Sequence, residues 1–197
     1  MASSQISQNF SSIRVDPRKG FIVGGAGVGA TMSAVVAHLE KDKLPHPLTG
    51  QLLSVGGFLD HNHADLLPED IHQCWRQELA SHSYNTDAAV LSARTTQRIM
   101  GQLAADSRDA RISPCLFSKA SFDGLPDAYL QIAGQDIFRD DGVLYAKQLQ
   151  RGGAKTKVRT FPAVPHAWWE FEALDEAEEF LPDLVKGVKW LLEQHRP

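Results

Sequence analysis

Cysteine is scarce in this sequence. Cys74 and Cys115 are the only two, so at most one disulfide can form, and the expectation is two reduced thiols in a cytoplasmic protein. No C-x-x-C or H-x-x-x-H spacing occurs, so the common zinc-ligand patterns are missing and no metal is expected. No run of 18 apolar residues exists, and no membrane span is expected. Residues 1–12 are polar, without the basic segment and apolar stretch of a secretory leader. Positive charge is not in excess: 20 Lys and Arg stand against 24 Asp and Glu, a formal net charge of −4. That leaves no basic face for nucleic acid. Internal repeats and low-complexity tracts are absent as well. What remains is an ordinary globular composition, 43% hydrophobic and 22% charged over 197 residues. It suffices for a single domain, 1–197, with a true core and a fraying segment at 1–12.

The chain is organised around Phe21-Ile-Val-Gly-Gly-Ala-Gly-Val-Gly-Ala-Thr-Met-Ser-Ala-Val-Val-Ala-His38. Residues 21–23 read as a short buried strand and 31–39 as a buried helix of small apolar residues. Between them lie Gly24, Gly25, Gly27 and Gly29. A strand, a glycine turn and a helix present backbone N–H groups at a helix N-terminus. Two motifs fit this spacing. The dinucleotide-binding G-x-G-x-x-G/A is met by Gly25-Ala-Gly27-Val-Gly-Ala30. The nucleophile elbow G-x-S-x-G is met by Gly25-Ala26-Gly27-Val28-Gly29 in spacing only, with glycine where serine belongs.

Further along, 50–55 reads as a second strand, 58–68 as a loop rich in His and Asp, and 69–80 as helical. The stretch 92–105 reads as a helix burying Ile99, Met100 and Leu103. The third strand is Ala128–Ala133, followed by a helix over 143–150 that begins near Asp140 and Asp141, where negative charge suits the dipole. The last strand is 157–161, an aromatic turn holds Trp168 and Trp169, and 176–194 is a terminal helix. Strands alternating with helices imply an α/β fold, a mostly parallel sheet with helices on both faces. Two minor patterns remain. His61 and His63, with Asp60 or Asp65, lie in a loop without further ligands and read as solvated. His38, His46, His72, His82 and His195 carry no pattern and read as surface.

Asp136 follows the third strand by a tight turn, and His166 follows the fourth. In a parallel sheet both lie at the carboxyl ends of their strands, beside the glycine turn, where ligands bind. The order of elbow, acid and histidine is that of α/β-hydrolases. Pro126-Asp-Ala-Tyr-Leu-Gln-Ile-Ala-Gly-Gln-Asp136-Ile-Phe-Arg-Asp-Asp-Gly142 resembles the acid segment of carboxylesterases of the hormone-sensitive-lipase type. Phe161-Pro-Ala-Val-Pro-His166-Ala-Trp resembles their histidine loop. Asp16-Pro-Arg-Lys-Gly-Phe-Ile-Val-Gly-Gly resembles the segment entering their elbow. The similarity covers the C-terminal portion of such an enzyme, so the expected architecture is a shortened α/β-hydrolase-like domain. Gly27 replaces the nucleophile, Ala30 replaces a usual glycine, and no HGGG-type oxyanion segment occurs.

The resemblance then implies a site without serine-esterase chemistry. Asp136 and His166 form a dyad, with His166 as general acid or base. The turn 25–29 offers N–H groups to an oxyanion. Trp168 and Trp169 flank the histidine and could line a pocket. The expected ligand is a hydrophobic carbonyl-containing small molecule undergoing cyclisation, isomerisation, elimination or condensation, with no cofactor. The alternatives are an inactive homologue that binds a ligand or partner, and a dinucleotide-binding domain. The elbow strand is expected to have an unpaired edge, and a homodimer through it and the helix 31–39 follows as the expected assembly.

Overall fold

The computed structural model describes residues 2–69, 71–72 and 80–195. The helix expected over 69–80, with Cys74 and Trp75, falls largely outside them. Four strands form one parallel sheet in the order β1-β2-β3-β4: β1 (Ile22–Ala26), β2 (Gly50–Ser54), β3 (Ala128–Ala133) and β4 (Thr156–Phe161). Each connection is a crossover, as parallel pairing requires. Helix α1 (Ala2–Gln8) precedes β1, and α2 (Val28–Glu40) joins β1 to β2. The long passage from β2 to β3 holds α3 (Ser81–Tyr84), α4 (Ala93–Leu103) and α5 (Lys119–Phe122). Helix α6 (Arg139–Arg151) joins β3 to β4, and α7 (Ala177–Gln194) follows. Among the described residues β1 is an edge of the sheet. No described helix is long and apolar enough to cross a membrane.

The central strand β3 is buried at every position, which accounts for its nearly unbroken apolar sequence. On one face α2 approaches closely because Ala30, Ala34 and Ala37 are small, and all three are fully buried with Leu130, Tyr145 and Leu149. On the other face α7 lies against β2 and β3 at Gly187, where a Cβ would meet the Tyr129 ring at 2.6 Å. Polar side chains there are satisfied mutually. Tyr129 Oη and Gln131 Nε2 donate to Asp183, and Ser54 Oγ donates to Gln131 Oε1 at 2.6 Å. Burial, reinforced by Asp183, pushes the Tyr129 hydroxyl up to about 12.

Two expectations are corrected by the packing. Helix α4 buries none of its residues: Ile99 is 41% and Leu103 58% exposed. Its apolar stripe, with Met100, borders a cavity instead of entering the core. His38 is not a surface residue. It is buried between Phe117, stacked at 4.0 Å, and the edge of Phe122, with Nδ1 2.8 Å from Ser121 Oγ. Burial, helped by nearby Lys41, lowers its pKa to about 3.

Candidate active site

The glycine turn, the acid turn and the histidine turn meet at the carboxyl edge of the sheet. Gly27 caps α2 with φ 56 and ψ −125, a backbone conformation that a side chain enters only under strain. A Cβ built there would lie 3.5 Å from His166 Nε2. The turn therefore holds the geometry of a nucleophile elbow, aimed at the histidine, with the side chain absent. The acid and histidine turns are locked together at Gly134, where a Cβ would collide with the Pro162 carbonyl at 2.1 Å. The Gly134 N–H donates to Phe161 O and the Gln135 N–H to Val164 O.

Asp136 is 1% exposed. One oxygen accepts from the Phe138 N–H at 3.1 Å, and the other lies 2.7 Å from His166 Nδ1. Asn85 Nδ2 donates to the Asp136 carbonyl at 2.7 Å and braces the turn. A carboxylate accepts, so Nδ1 carries the proton and Nε2 presents its lone pair toward Gly27. Ala167, at φ 53, turns the chain sharply just after the imidazole.

Five residues of the glycine turn were expected to offer N–H groups, and the structure divides them. Gly25 and Ala26 belong to β1, in register with Leu53 and Ser54. The Gly27 N–H donates to the Ser54 carbonyl at 2.9 Å. Val28 and Gly29, the first residues of α2, are left as N–H donors without an acceptor among the described residues, as a helix N-terminus requires.

Trp168 and Trp169 do not line the space beside His166, a correction to their expected role. Trp168 is fully buried against Phe161 and Val164, and its Nε1 donates to the Glu176 carbonyl. Trp169 stacks on Phe180 at 4.2 Å. A buried indole must satisfy its N–H, and that partner lies away from the cavity. The walls come instead from Met32 of α2, from Ile99, Met100 and Leu103 of α4, and from Phe138, enclosing about 270 Å³ over Gly27 and His166. The apolar periodicity of 99–103 was the available signal for them, assigned to the wrong partner.

A second group lies beyond Phe138. Its ring centroid is 6.1 Å from His166 on one side and 6.1 Å from His82 on the other. Asp141 lies in the first turn of α6, as expected, and is also fully buried, with its Oδ2 accepting the Phe58 and Leu59 N–H groups. His61 is no solvated loop residue, with Nε2 2.7 Å from Asp141 Oδ1. His82, expected at the surface, stacks on His61. Burial and the neighbouring His61 lower its pKa to about 3. Burial raises the Asp141 carboxyl, against the pull of His61 and the two backbone donors. Asp140 is lowered overall: burial opposes this, but Arg139 and the Ser81 and Ala80 N–H groups prevail.

The dinucleotide alternative has no support at this edge. Strand β2 ends in Ser54, followed by Val55-Gly56-Gly57, so no acid closes it.

Comparison with known proteins agrees with this geometry. The sequence profile of the alpha/beta hydrolase fold matches residues 2–170. The crystal structure of vibralactone cyclase superposes with a TM-score of 0.86 at 29% identity, over 100% of this chain and 56% of that one. An AB hydrolase superfamily protein of Schizosaccharomyces pombe is 25% identical over 189 residues, covering 95% of this chain and 53% of its own length. Carboxylesterase NlhH of Mycobacterium tuberculosis is 28% identical over 170 residues, 84% of this chain and 48% of its own. The chain thus spans about half the length of the relatives it matches.

Proposed function

The chain belongs to the α/β-hydrolase fold family and is homologous to carboxylesterases of the hormone-sensitive-lipase type, and on that premise we propose that it is a non-hydrolytic acid–base enzyme acting on a hydrophobic carbonyl compound. The observation that carries the reading is Gly27: the elbow is retained without its nucleophile, and His166 Nε2 faces the vacated position. In this reading Asp136 holds the Nδ1 proton, and His166 Nε2 removes a proton from the carbon next to the substrate carbonyl. The electron pair passes to the carbonyl oxygen, which accepts the Val28 and Gly29 N–H groups at the positive end of α2. His166 then returns the proton to carbon or to a leaving group, which suits isomerisation, cyclisation, elimination or condensation. The mostly apolar walls of the cavity support a hydrophobic substrate. A cyclase among the similar structures fits this chemistry.

The test is proton exchange in D₂O. Medium-chain methyl ketones and β-keto esters are incubated with the protein, and deuterium next to the carbonyl is read by mass spectrometry. Enzyme-dependent exchange that disappears in His166→Ala supports the base. Tight ligand binding without exchange, equal in wild type and His166→Ala, favours a ligand-binding homologue.

We extend the proposal to assembly as a homodimer through β1 and α2. The edge position of β1 and the exposure of Val28 (68%) and Met32 (63%) on α2 support it. Light scattering coupled to size exclusion tests it, and a monomer at micromolar concentration ends it.

A further inference from the structure

His61, His82 and Asp141 come from three separate segments: the 3₁₀ turn after β2, helix α3, and the first turn of α6. The fold brings one ligand atom from each to within 4.8 Å of the others. We infer that these three side chains form a binding site for a divalent first-row transition-metal ion of the Zn²⁺ type, separated from the Asp136–His166 pair by the Phe138 ring.

The carboxylate is already oriented for this. Its Oδ2 is held by the Phe58 and Leu59 N–H groups at 3.1 and 3.2 Å, so Oδ1 is the oxygen turned to the histidines. His61 Nε2 lies 2.7 Å and His82 Nε2 3.8 Å from Oδ1. Zn²⁺ binds imidazole nitrogen and carboxylate oxygen at about 2.0–2.2 Å, which sets neighbouring ligand atoms of a tetrahedron roughly 3.3 Å apart. The two measured separations straddle that value, so small side-chain rotations suffice. On binding, the ion replaces the hydrogen shared by His61 and Asp141, and the His61 proton moves to Nδ1.

A second observation points the same way. His82 Nε2 is buried and has no hydrogen-bond partner among the described residues. A buried polar atom left unpaired is costly and rare. It faces the same carboxylate oxygen, and a cation between them satisfies it. Two imidazoles and one carboxylate suit Zn²⁺ and its neighbours better than Ca²⁺ or Mg²⁺, which prefer oxygen sets. Three protein ligands leave a fourth position for water or a small ligand. His61 and His82 border a cavity of about 150 Å³ that can hold it.

The experiment is calorimetric titration of EDTA-treated, dialysed protein with ZnCl₂, with Co²⁺ as a spectroscopic probe. One ion per chain is expected, with visible tetrahedral Co²⁺ bands. His61→Ala and His82→Ala should each weaken binding beyond the roughly 10–100-fold typical of losing a mere outer-shell partner, and abolish the bands. His166→Ala should bind one ion as wild type does, which keeps this test independent of the proposed acid–base chemistry. Circular dichroism checks that each variant is folded. Absence of saturable one-to-one binding in the wild type overturns the inference. So does unchanged binding in the folded His61→Ala/His82→Ala double variant.

Discussion

Asp136 and Asp141 lie five residues apart, and each holds an imidazole at 2.7 Å. Both carboxyl groups are buried, at 1% and 0% side-chain exposure. The chemistry they leave available differs. Asp136 engages His166 through Nδ1, the nitrogen beside the side-chain stem, so Nε2 projects from the far end of the ring over Gly27. Asp141 engages His61 through Nε2, and the far nitrogen is spent on the acid, beside a second imidazole. One arrangement aims a proton acceptor at open space. The other gathers ligand atoms around a single oxygen. The same two residue types therefore do different work according to which ring nitrogen the carboxylate holds.

Substitutions can break this comparison. The largest effect is expected at the first pair: His166→Ala should lower exchange or turnover by about 10²–10⁴-fold, in protein that circular dichroism shows to be folded. At the second pair the loss should appear in stability. Asp141→Ala leaves the Phe58 and Leu59 N–H groups and His61 without their acceptor, at about 1–3 kcal/mol for a buried group left unpaired, read by urea unfolding. If Asp141→Ala leaves stability intact, the two pairs are not divided as described.

Gly27→Ser sharpens the first pair directly. Its hydroxyl would fall beside His166 Nε2, so a fluorophosphonate probe should label the variant and not the wild type. Hydrolysis of aryl esters should stay near background, because the described residues around His166 offer an oxyanion only the Val28 and Gly29 N–H groups. The left-handed backbone at this position should cost about 1–3 kcal/mol in stability. Wild-type labelling would overturn the lost-nucleophile reading.

The last effect is electrostatic and lies away from both pairs. His38 is held neutral in the folded state, with a pKa of about 3 against an ordinary 6.5. Below 6.5 the unfolded chain binds a proton that the folded chain refuses. The contribution of His38 is therefore complete above pH 6.5 and is lost as pH falls from 6.5 toward 3. The slope approaches about 1.4 kcal/mol per pH unit. His38→Gln should flatten the dependence over that window in urea unfolding at stepped pH.

The fold was largely legible because its signals are local. Glycines after an apolar run, a strand such as Ala128–Ala133 ended by Gly134, and the proline-bracketed His166 turn each mark an element within a few residues. The positions of Asp136 and His166 followed from chain order and resemblance. What was not legible depends on distant packing. Nothing near His61 announces Asp141, 80 residues away, or His82. The tryptophans next to His166 suggested a pocket wall, but their direction is set by Ala167, whose left-handed backbone no composition reveals. The α4 stripe is apolar but borders a cavity and not the core, since periodicity reports a face and not what it faces.

Phe138 has a consequence of its own. A Cβ at Gly57 would sit 3.0 Å from its ring, and the ring forms part of the wall of both cavities. The ring stands between His166 and His82 as a partition of the two spaces. In the proposed reading, a ligand anchored at His166 meets this aromatic plane on the side toward His82. In the same reading, a smaller side chain here would join the two spaces, whose walls also share Gly57, Thr96, Met100 and Ile112, and admit a longer hydrophobic chain.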